Sequence, residues 1–232
     1  MNQDDRREYL IGELLKEEPQ YARMRVPENE GEQKRLLRSL MNIRPPRPVS
    51  DKVLEIQDEY LREEVAARGI IDSAALPASA LDSRLVPCHS CVDNIIHSVS
   101  GMQLRMECDR LMNEQGYDEP TGRAKITPAY NLPCRFVLHT VGPIVAGTLT
   151  KTHCRQLADC YRSCLELAAD KGLKSIAFCC ISTGEFHFPR EKAAEIAVQT
   201  VVDFLRTDER LERVVFNVFK QEDYDIYREL LG

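Results

Sequence analysis

The sequence predicts an α/β protein with a largely parallel sheet, preceded by a region made only of helices. From Phe136 onward, apolar strands alternate with amphipathic helices, which is the pattern of right-handed crossover connections. Before residue 70, helical periodicity is interrupted by prolines and no strand pattern occurs. The chain has 232 residues, 43% hydrophobic and 29% charged, enough for one large domain with an appendage.

The N-terminal region, residues 1–70, is predicted to be a helical extension. Apolar residues at helical spacing predict helices over residues 6–18, 33–41 and 53–69. Pro45, Pro46 and Pro48 separate the second helix from the third, because proline lacks the amide donor. Ser50 is a suitable N-cap and Gly69 a suitable C-cap for the third helix.

Residues 71–87 are small, polar and without periodicity, so we expect an irregular linker there. Residues 88–232 form the predicted α/β core. Its predicted helices span residues 92–115, 152–172, 190–205 and 223–231, and its predicted strands span 136–139, 175–181 and 213–219. The strand over 175–181 is continuously apolar, as expected for a strand buried on both faces.

Composition narrows the possible partners and compartment. The net charge of −6 disfavours binding to nucleic acid through a basic surface. No apolar run approaches the roughly 18 residues needed to cross a membrane, and no secretory signal is visible at the N-terminus. Nine cysteines, an odd number, indicate free or metal-bound thiols in a reducing compartment, so we expect a cytoplasmic protein.

A cysteine- and histidine-rich segment precedes the helix predicted at residue 92. It contains Cys88, His89 and Cys91, whose sulfur and nitrogen atoms are ligands that zinc prefers. Adjacent residues do not easily reach one ion, so His89 and Cys91 with one further thiol form the simplest zinc set. The alternative is that these residues belong to a buried helix start without a metal.

A second segment, residues 182–189, follows a buried strand and precedes a helix. Its small and hydroxyl residues around Gly184 expose backbone amides toward a helix N-terminus, a geometry that binds phosphate. Ligands of open α/β sheets lie at the carboxyl ends of the strands, where this segment is predicted. The alternative is an ordinary strand-to-helix turn.

Other candidates are less specific. Asp93 and His97 lie four residues apart on one helix face and could act in acid–base chemistry, although a helix-capping role for the aspartate is equally consistent. His139 is expected to be a hydrogen-bonded core histidine. Five cysteines lack the spacing of metal ligands and are expected in the core: Cys154, Cys160, Cys164, Cys179 and Cys180.

Four segments occur in the order seen in one family. They are residues 91–97 (CVDNIIH), 130–133 (YNLP), 139–143 (HTVGP) and 182–189 (STGEFHFP). This series resembles the macrodomains, which bind ADP-ribose. The segment from Pro87 to Cys91 and the helical N-terminal region are similar to one branch, the zinc-dependent macrodomain protein-ADP-ribose hydrolases.

The resemblance implies a three-layer α/β/α sandwich with a mixed sheet. It also implies a hydrolase that removes mono-ADP-ribose from modified protein side chains with the help of a bound Zn²⁺. By the resemblance, His89 and Cys91 are zinc ligands, and Asp93 and Asn94 lie beside the distal ribose, where Asp93 orients water. The implied ligand-binding residues are Ser182, Thr183, Gly184, Glu185 and Phe186.

The implied partners are ADP-ribose, an ADP-ribosylated protein and, in some organisms, an ADP-ribosyltransferase and a lipoylated carrier protein. The chain departs from the branch between its helical region and residue 87. The branch has two early strands there, with adenine-site and ribose-site motifs and the first zinc cysteine. That cysteine's place falls on Arg84 here, so Cys88 would substitute as a ligand. We therefore expect an incomplete sheet, lower stability and weak or no catalysis. The alternative function is a noncatalytic module that binds ADP-ribose, or an inactive truncated form.

Overall fold

The N-terminal helices pack into a small unit of their own. A computed structural model describes residues 1–18, 21, 24–43, 45–67, 76–80, 83–86 and 92–232, with backbone only for 76–80. Helices α1 (Gln3–Lys16), α2 (Glu30–Met41) and α3 (Asp51–Ala67) form this unit. Their apolar faces meet in a core that contains Leu10, Leu37 and Leu61. Helix α1 begins at a capping box, in which Asn2 Oδ1 accepts from the Asp5 amide at 2.8 Å.

The sheet of the α/β core has five strands in the order β2-β3-β1-β4-β5. They are β1 (Leu76–Ala80), β2 (Ala124–Pro128), β3 (Phe136–Thr140), β4 (Ser175–Phe178) and β5 (Arg213–Phe216). Strand β2 runs antiparallel to β3, and the remaining pairs are parallel. The expectation of a mixed sheet is therefore confirmed.

Helices cover the sheet on both faces. They are α4 (Val92–Ser100), α5 (Met102–Gln115), α6 (Lys151–Asp170), α7 (Arg190–Thr207) and α8 (Gln221–Leu231). Successive residues of a strand point to opposite faces, and β3 shows this directly. Val137 joins a core beneath α4 and α5, whereas Leu138 joins the larger core beneath α6 and α7. The molecule thus has the three α/β/α layers expected.

Three sequence predictions are wrong. Residues 76–80 were expected to be irregular, yet they form β1, the central strand of the sheet. Its segment, Leu-Pro-Ala-Ser-Ala, has low intrinsic strand preference. Pairing with parallel neighbours on both sides outweighs that preference.

The single helix predicted over residues 92–115 is instead two helices that meet at Gly101. This glycine has a φ of +102°, which ends the helical path of α4. The α5 N-terminus is capped from outside, since Gln57 Oε1 of α3 accepts from the Met102 amide at 2.8 Å. Strand β2 also lies where no strand was predicted. Among the described residues, no helix is both long and apolar enough to cross a membrane.

Candidate functional site

The candidate site lies at one edge of the sheet, where three parallel strands end. Strands β1, β3 and β4 are neighbours and run in the same direction, so their carboxyl ends share this edge. The chain leaves β1 toward α4, β5 lies on the far side of β4, and β2 lies on the far side of β3. Because the chain connections run in opposite directions on the two sides of β1, we expect the segments that follow β3 and β4 to border a crevice, the usual ligand position in such sheets.

The segment after β4, residues 182–189, forms a tight loop held by its own backbone. The Phe188 amide donates to Ser182 O at 2.9 Å, and the His187 amide donates to Gly184 O at 3.0 Å. Ser182 and His187 adopt left-handed conformations, with φ of +64° and +54°. The buried Phe188 ring anchors the loop in the core ahead of α7.

This loop contacts the segment that follows β3. The Val145 amide donates to Phe186 O at 2.9 Å, which joins the two loops across the crevice. Val145 is buried, whereas the preceding Ile144 is exposed. A Cβ atom added at Gly184 would meet no heavy atom within 4 Å, so open space lies beside this backbone. The structure thus brings the five residues predicted as ligand-binding, 182–186, into one loop at the crevice.

Two hydroxyl groups of this loop differ in their hydrogen bonding. Thr183 Oγ1 donates to Cys180 O at 3.1 Å and so stabilises the turn. Ser182 is only 4% exposed, and within the described parts of the chain no group hydrogen-bonds to its Oγ. A buried hydroxyl without a protein partner is costly unless something else satisfies it. The Ser182 hydroxyl is therefore the one of these two groups whose hydrogen-bonding capacity is not used by the described residues.

Asp93 and Asn94 lie in the first turn of α4, the helix that follows β1. Because α4 follows the central strand β1, its first turn lies at the same edge of the sheet. Asp93 is fully buried. Its position in the first turn of α4 favours a negative charge, because the N-terminus of a helix carries a partial positive charge. Asn94 is half-buried and faces α2 and α3, with its Oδ1 atom 3.5 Å from Ser98 Oγ. The predicted zinc residues Cys88, His89 and Cys91 lie outside the described residues.

A buried polar cluster lies between α4, α5 and β3, and sequence reasoning missed it as a group. His97, Cys108 and His139 place their nitrogen and sulfur atoms within 4.8 Å of one another. His139 Nε2 is 2.9 Å from Thr127 Oγ1 and 3.9 Å from Cys108 Sγ. The three residues are far apart in sequence, so only the fold brings them together.

The surroundings of this cluster favour neutral side chains. Burial and the nearby Arg105 guanidinium lower the pKa of His139 to about 3. Burial raises the pKa of the Cys108 thiol to about 12. Because a buried cation is already close and His139 is hydrogen-bonded to Thr127, we interpret the cluster as part of the core. The expectation that His139 is a hydrogen-bonded core residue is confirmed.

The core cysteines follow their prediction. Cys160, Cys164 and Cys179 are buried, and Cys154 and Cys180 are partly buried against the same core. Burial raises the pKa of Cys160 to about 11 and that of Cys180 to about 12, so these thiols are poor nucleophiles.

Known proteins resemble this chain over its whole length. A protein-ADP-ribose hydrolase from Treponema medium is 48% identical, and the match covers 100% of both chains. That alignment spans 261 positions against the 232 residues here, so part of it has no residue of this chain.

Solved structures resemble its fold. The Oceanobacillus iheyensis macrodomain with MES bound is 37% identical, with a TM-score of 0.65, and the match covers 69% of this chain and 84% of that one. The Trypanosoma brucei macrodomain in complex with ADP-ribose is 35% identical, with a TM-score of 0.61, and the match covers 69% and 64%. The model of the Macro domain family matches residues 78–197, a span that includes the sheet edge, both crevice loops and the first turn of α4. The chain belongs to the macro domain family.

Proposed function

We propose that this protein is a hydrolase that removes mono-ADP-ribose from modified protein side chains. The observation that carries the proposal is the loop after β4, which is joined to the segment after β3 and in which the buried Ser182 hydroxyl has no partner within the described chain. Relatives that match it over its full length are named protein-ADP-ribose hydrolase, and a solved neighbour contains ADP-ribose.

The diphosphate of ADP-ribose fits the loop of residues 182–186. The loop precedes the N-terminus of α7. Its backbone amides and the positive end of that helix both favour the binding of a negatively charged group. The open space at Gly184 lets a phosphate approach the backbone closely. Ser182 Oγ would donate to the ligand, and Phe186 and Glu185 would line its ribose.

Asp93 is the candidate catalytic residue. Asp93 lies in the first turn of α4, at the edge where the parallel strands end. Its carboxylate would orient the attacking water and accept a proton from it. Water adds to the ADP-ribosyl group as the bond to the protein side chain breaks, and the side chain leaves with a proton.

The donor chemistry of Cys88, His89 and Cys91 suits zinc, because two thiols and an imidazole are ligands of zinc sites. These residues would bind the ion, and they precede Asp93 by two to five residues in the sequence. A bound zinc would lower the pKa of a water molecule toward neutrality. We further propose a cytoplasmic location and, as partners, an ADP-ribosyltransferase and a lipoylated carrier protein.

We also propose that the chain lacks a segment that its full-length relatives have. The longer alignment with the Treponema medium protein supports this, as does the absence of the adenine-site and ribose-site motifs before residue 87. This observation favours a second candidate function, a module that binds ADP-ribose without hydrolysing it.

Release of ADP-ribose from a mono-ADP-ribosylated protein, followed by chromatography, tests the proposal. The purified protein should release ADP-ribose and contain stoichiometric zinc, and Asp93→Asn should abolish release. Calorimetry with free ADP-ribose separates the candidates, since binding without release supports the binding module. Absence of both binding and release contradicts both functions.

A further inference from the structure

The N-terminal helical unit contacts helix α4 through a partly buried polar link. Asn42, the residue after α2, donates through Nδ2 to Ser98 Oγ at 2.8 Å and to Arg38 O at 2.9 Å. Ser98 is only 3% exposed, and its hydroxyl donates to Asn94 O at 2.7 Å. One hydrogen-bonded path therefore runs from the end of α2 to the first turn of α4.

A second link binds the other end of α4. Asp58 of α3 accepts through Oδ1 from Asn131 Nδ2 at 2.8 Å and from Gln103 Nε2 at 2.9 Å. Asn131 belongs to the segment Tyr130-Asn131-Leu132-Pro133, whose role the sequence left open, and it also donates to Ser100 O at 3.0 Å. The last residue of α4 is thus tied to α3 through one carboxylate.

Polar links of this kind fix the position of α4 relative to the N-terminal helices, in addition to stabilising the protein. An apolar contact tolerates sliding of one helix over another, whereas a hydrogen bond that is partly shielded from water keeps its geometry in one arrangement of its two partners. Gln57, which is fully buried, adds a third fixed point by capping α5 directly after α4. Helix α4 is short, nine residues, so links at both of its ends restrict its axis and its rotation.

We propose that the N-terminal helical unit is a positioning element for the catalytic helix, in which Asn42 and Asp58 are positioning residues. They act through Ser98 and Asn131 to fix α4, and α4 in turn places Asp93 at the crevice. This inference rests on the proposed function for its effect on catalysis. The links themselves rest on the geometry alone.

The first test is a double-mutant cycle on the Asn42–Ser98 link. Asn42→Ala and Ser98→Ala should each lower kcat for ADP-ribose release, by on the order of threefold to tenfold, with a smaller effect on KM. Because both remove the same link, the double variant should lose no more than the stronger single variant. Multiplied losses in the double variant would contradict the proposal. Ser39→Ala is the matched control, since Ser39 Oγ donates to Arg35 O of its own helix and to no other residue that the structure describes, and it should leave kcat unchanged.

Conservative rescue tests the Asp58 link. Asp58→Asn keeps an oxygen that accepts from Asn131, so it should retain most of kcat. Asp58→Ala removes that acceptor and should lower kcat to a similar extent as Asn42→Ala. Equal loss in both Asp58 variants would show that the charge, rather than the positioning bond, matters.

Hydrogen–deuterium exchange keeps the positioning claim testable if the protein releases no ADP-ribose. Asn42→Ala and Asp58→Ala should speed exchange of the α4 amides, residues 92–100, relative to wild type and Ser39→Ala, and leave α6 unchanged. A wild-type protein that neither binds nor releases ADP-ribose, combined with this pattern, would overturn the proposed function and leave the positioning element standing. Unchanged α4 exchange would overturn the positioning element itself.

Discussion

The Ser182 hydroxyl is the side-chain group on which the proposed ligand site depends most directly. It is buried, its backbone is left-handed, and no described residue hydrogen-bonds to its Oγ. From the residues alone, the segment 182–189 was consistent with a phosphate-binding turn or with an ordinary strand-to-helix turn, and the family resemblance implied ligand binding. The left-handed φ of a serine and the missing partner of its hydroxyl were not predictable, since both depend on the folded loop.

Ser182→Ala should weaken ADP-ribose binding by roughly threefold to tenfold, which corresponds to one lost hydrogen bond. Its free energy of unfolding should change little, because no described residue loses a partner. Calorimetry and urea unfolding measure the two effects. For comparison, Thr183→Ala removes the bond to Cys180 O and should lower stability by about 1 kcal/mol. Unchanged affinity in Ser182→Ala would exclude this hydroxyl from the site.

His139 makes stability depend on pH. Its pKa falls from 6.5 to about 3 on folding, so the unfolded chain binds more protons between these values. Stability is therefore fully present above pH 6.5 and is lost as the pH falls below it. From pH 7 to pH 5 the free energy of unfolding should drop by about 2 kcal/mol from this residue. Urea unfolding at each pH tests this, and His139→Gln should show a flatter pH dependence. An equally steep pH dependence in His139→Gln would show that other residues cause the loss of stability.

At the scale of elements, Gly101 determines where α4 ends and α5 begins. A Cβ atom at this position would lie 2.6 Å from Gln57 Nε2 and 2.8 Å from Gln103 Oε1. The sequence predicted one helix across this point, because a lone glycine inside a helical pattern is often tolerated. The break depends on the positive φ and on the Gln57 cap from α3, and neither is visible in local sequence.

Gly101→Ala should destabilise the protein more than Gly116→Ala. Both glycines have positive φ, with values of +102° and +76°, so both variants carry a strain of about 1 kcal/mol. Only Gly101 also faces the Gln57 side chain, which adds about 1–3 kcal/mol of overpacking. Chemical denaturation of the two variants gives the difference. Equal losses would mean that the α3–α5 contact tolerates displacement.

Strand β1 is a second element that could not be predicted from local sequence. Its residues have neither β-branched side chains nor alternation, so local preference gave no strand. Strands β3 and β4 were predicted from short apolar runs, and the family resemblance implied a mixed sheet but no strand order. The central position of β1 comes from tertiary pairing, which no local pattern encodes.

At the scale of the whole molecule, the helical unit and the α/β core share a boundary that couples them. Met102 of α5 is buried in the core of the helical unit, and Gln57 and Asp58 hydrogen-bond across the same boundary. We therefore expect a single unfolding transition. Far-ultraviolet circular dichroism and methyl NMR signals followed through urea should give coincident midpoints. Separate midpoints would show that the helical unit unfolds independently.

The most direct measurement is the intact mass of a mono-ADP-ribosylated protein before and after incubation with this chain. We expect the modified protein to lose its ADP-ribose, and expect the modification to persist with the Asp93→Asn variant. Persistence of the modification with the folded, zinc-loaded wild-type protein would contradict the hydrolase function.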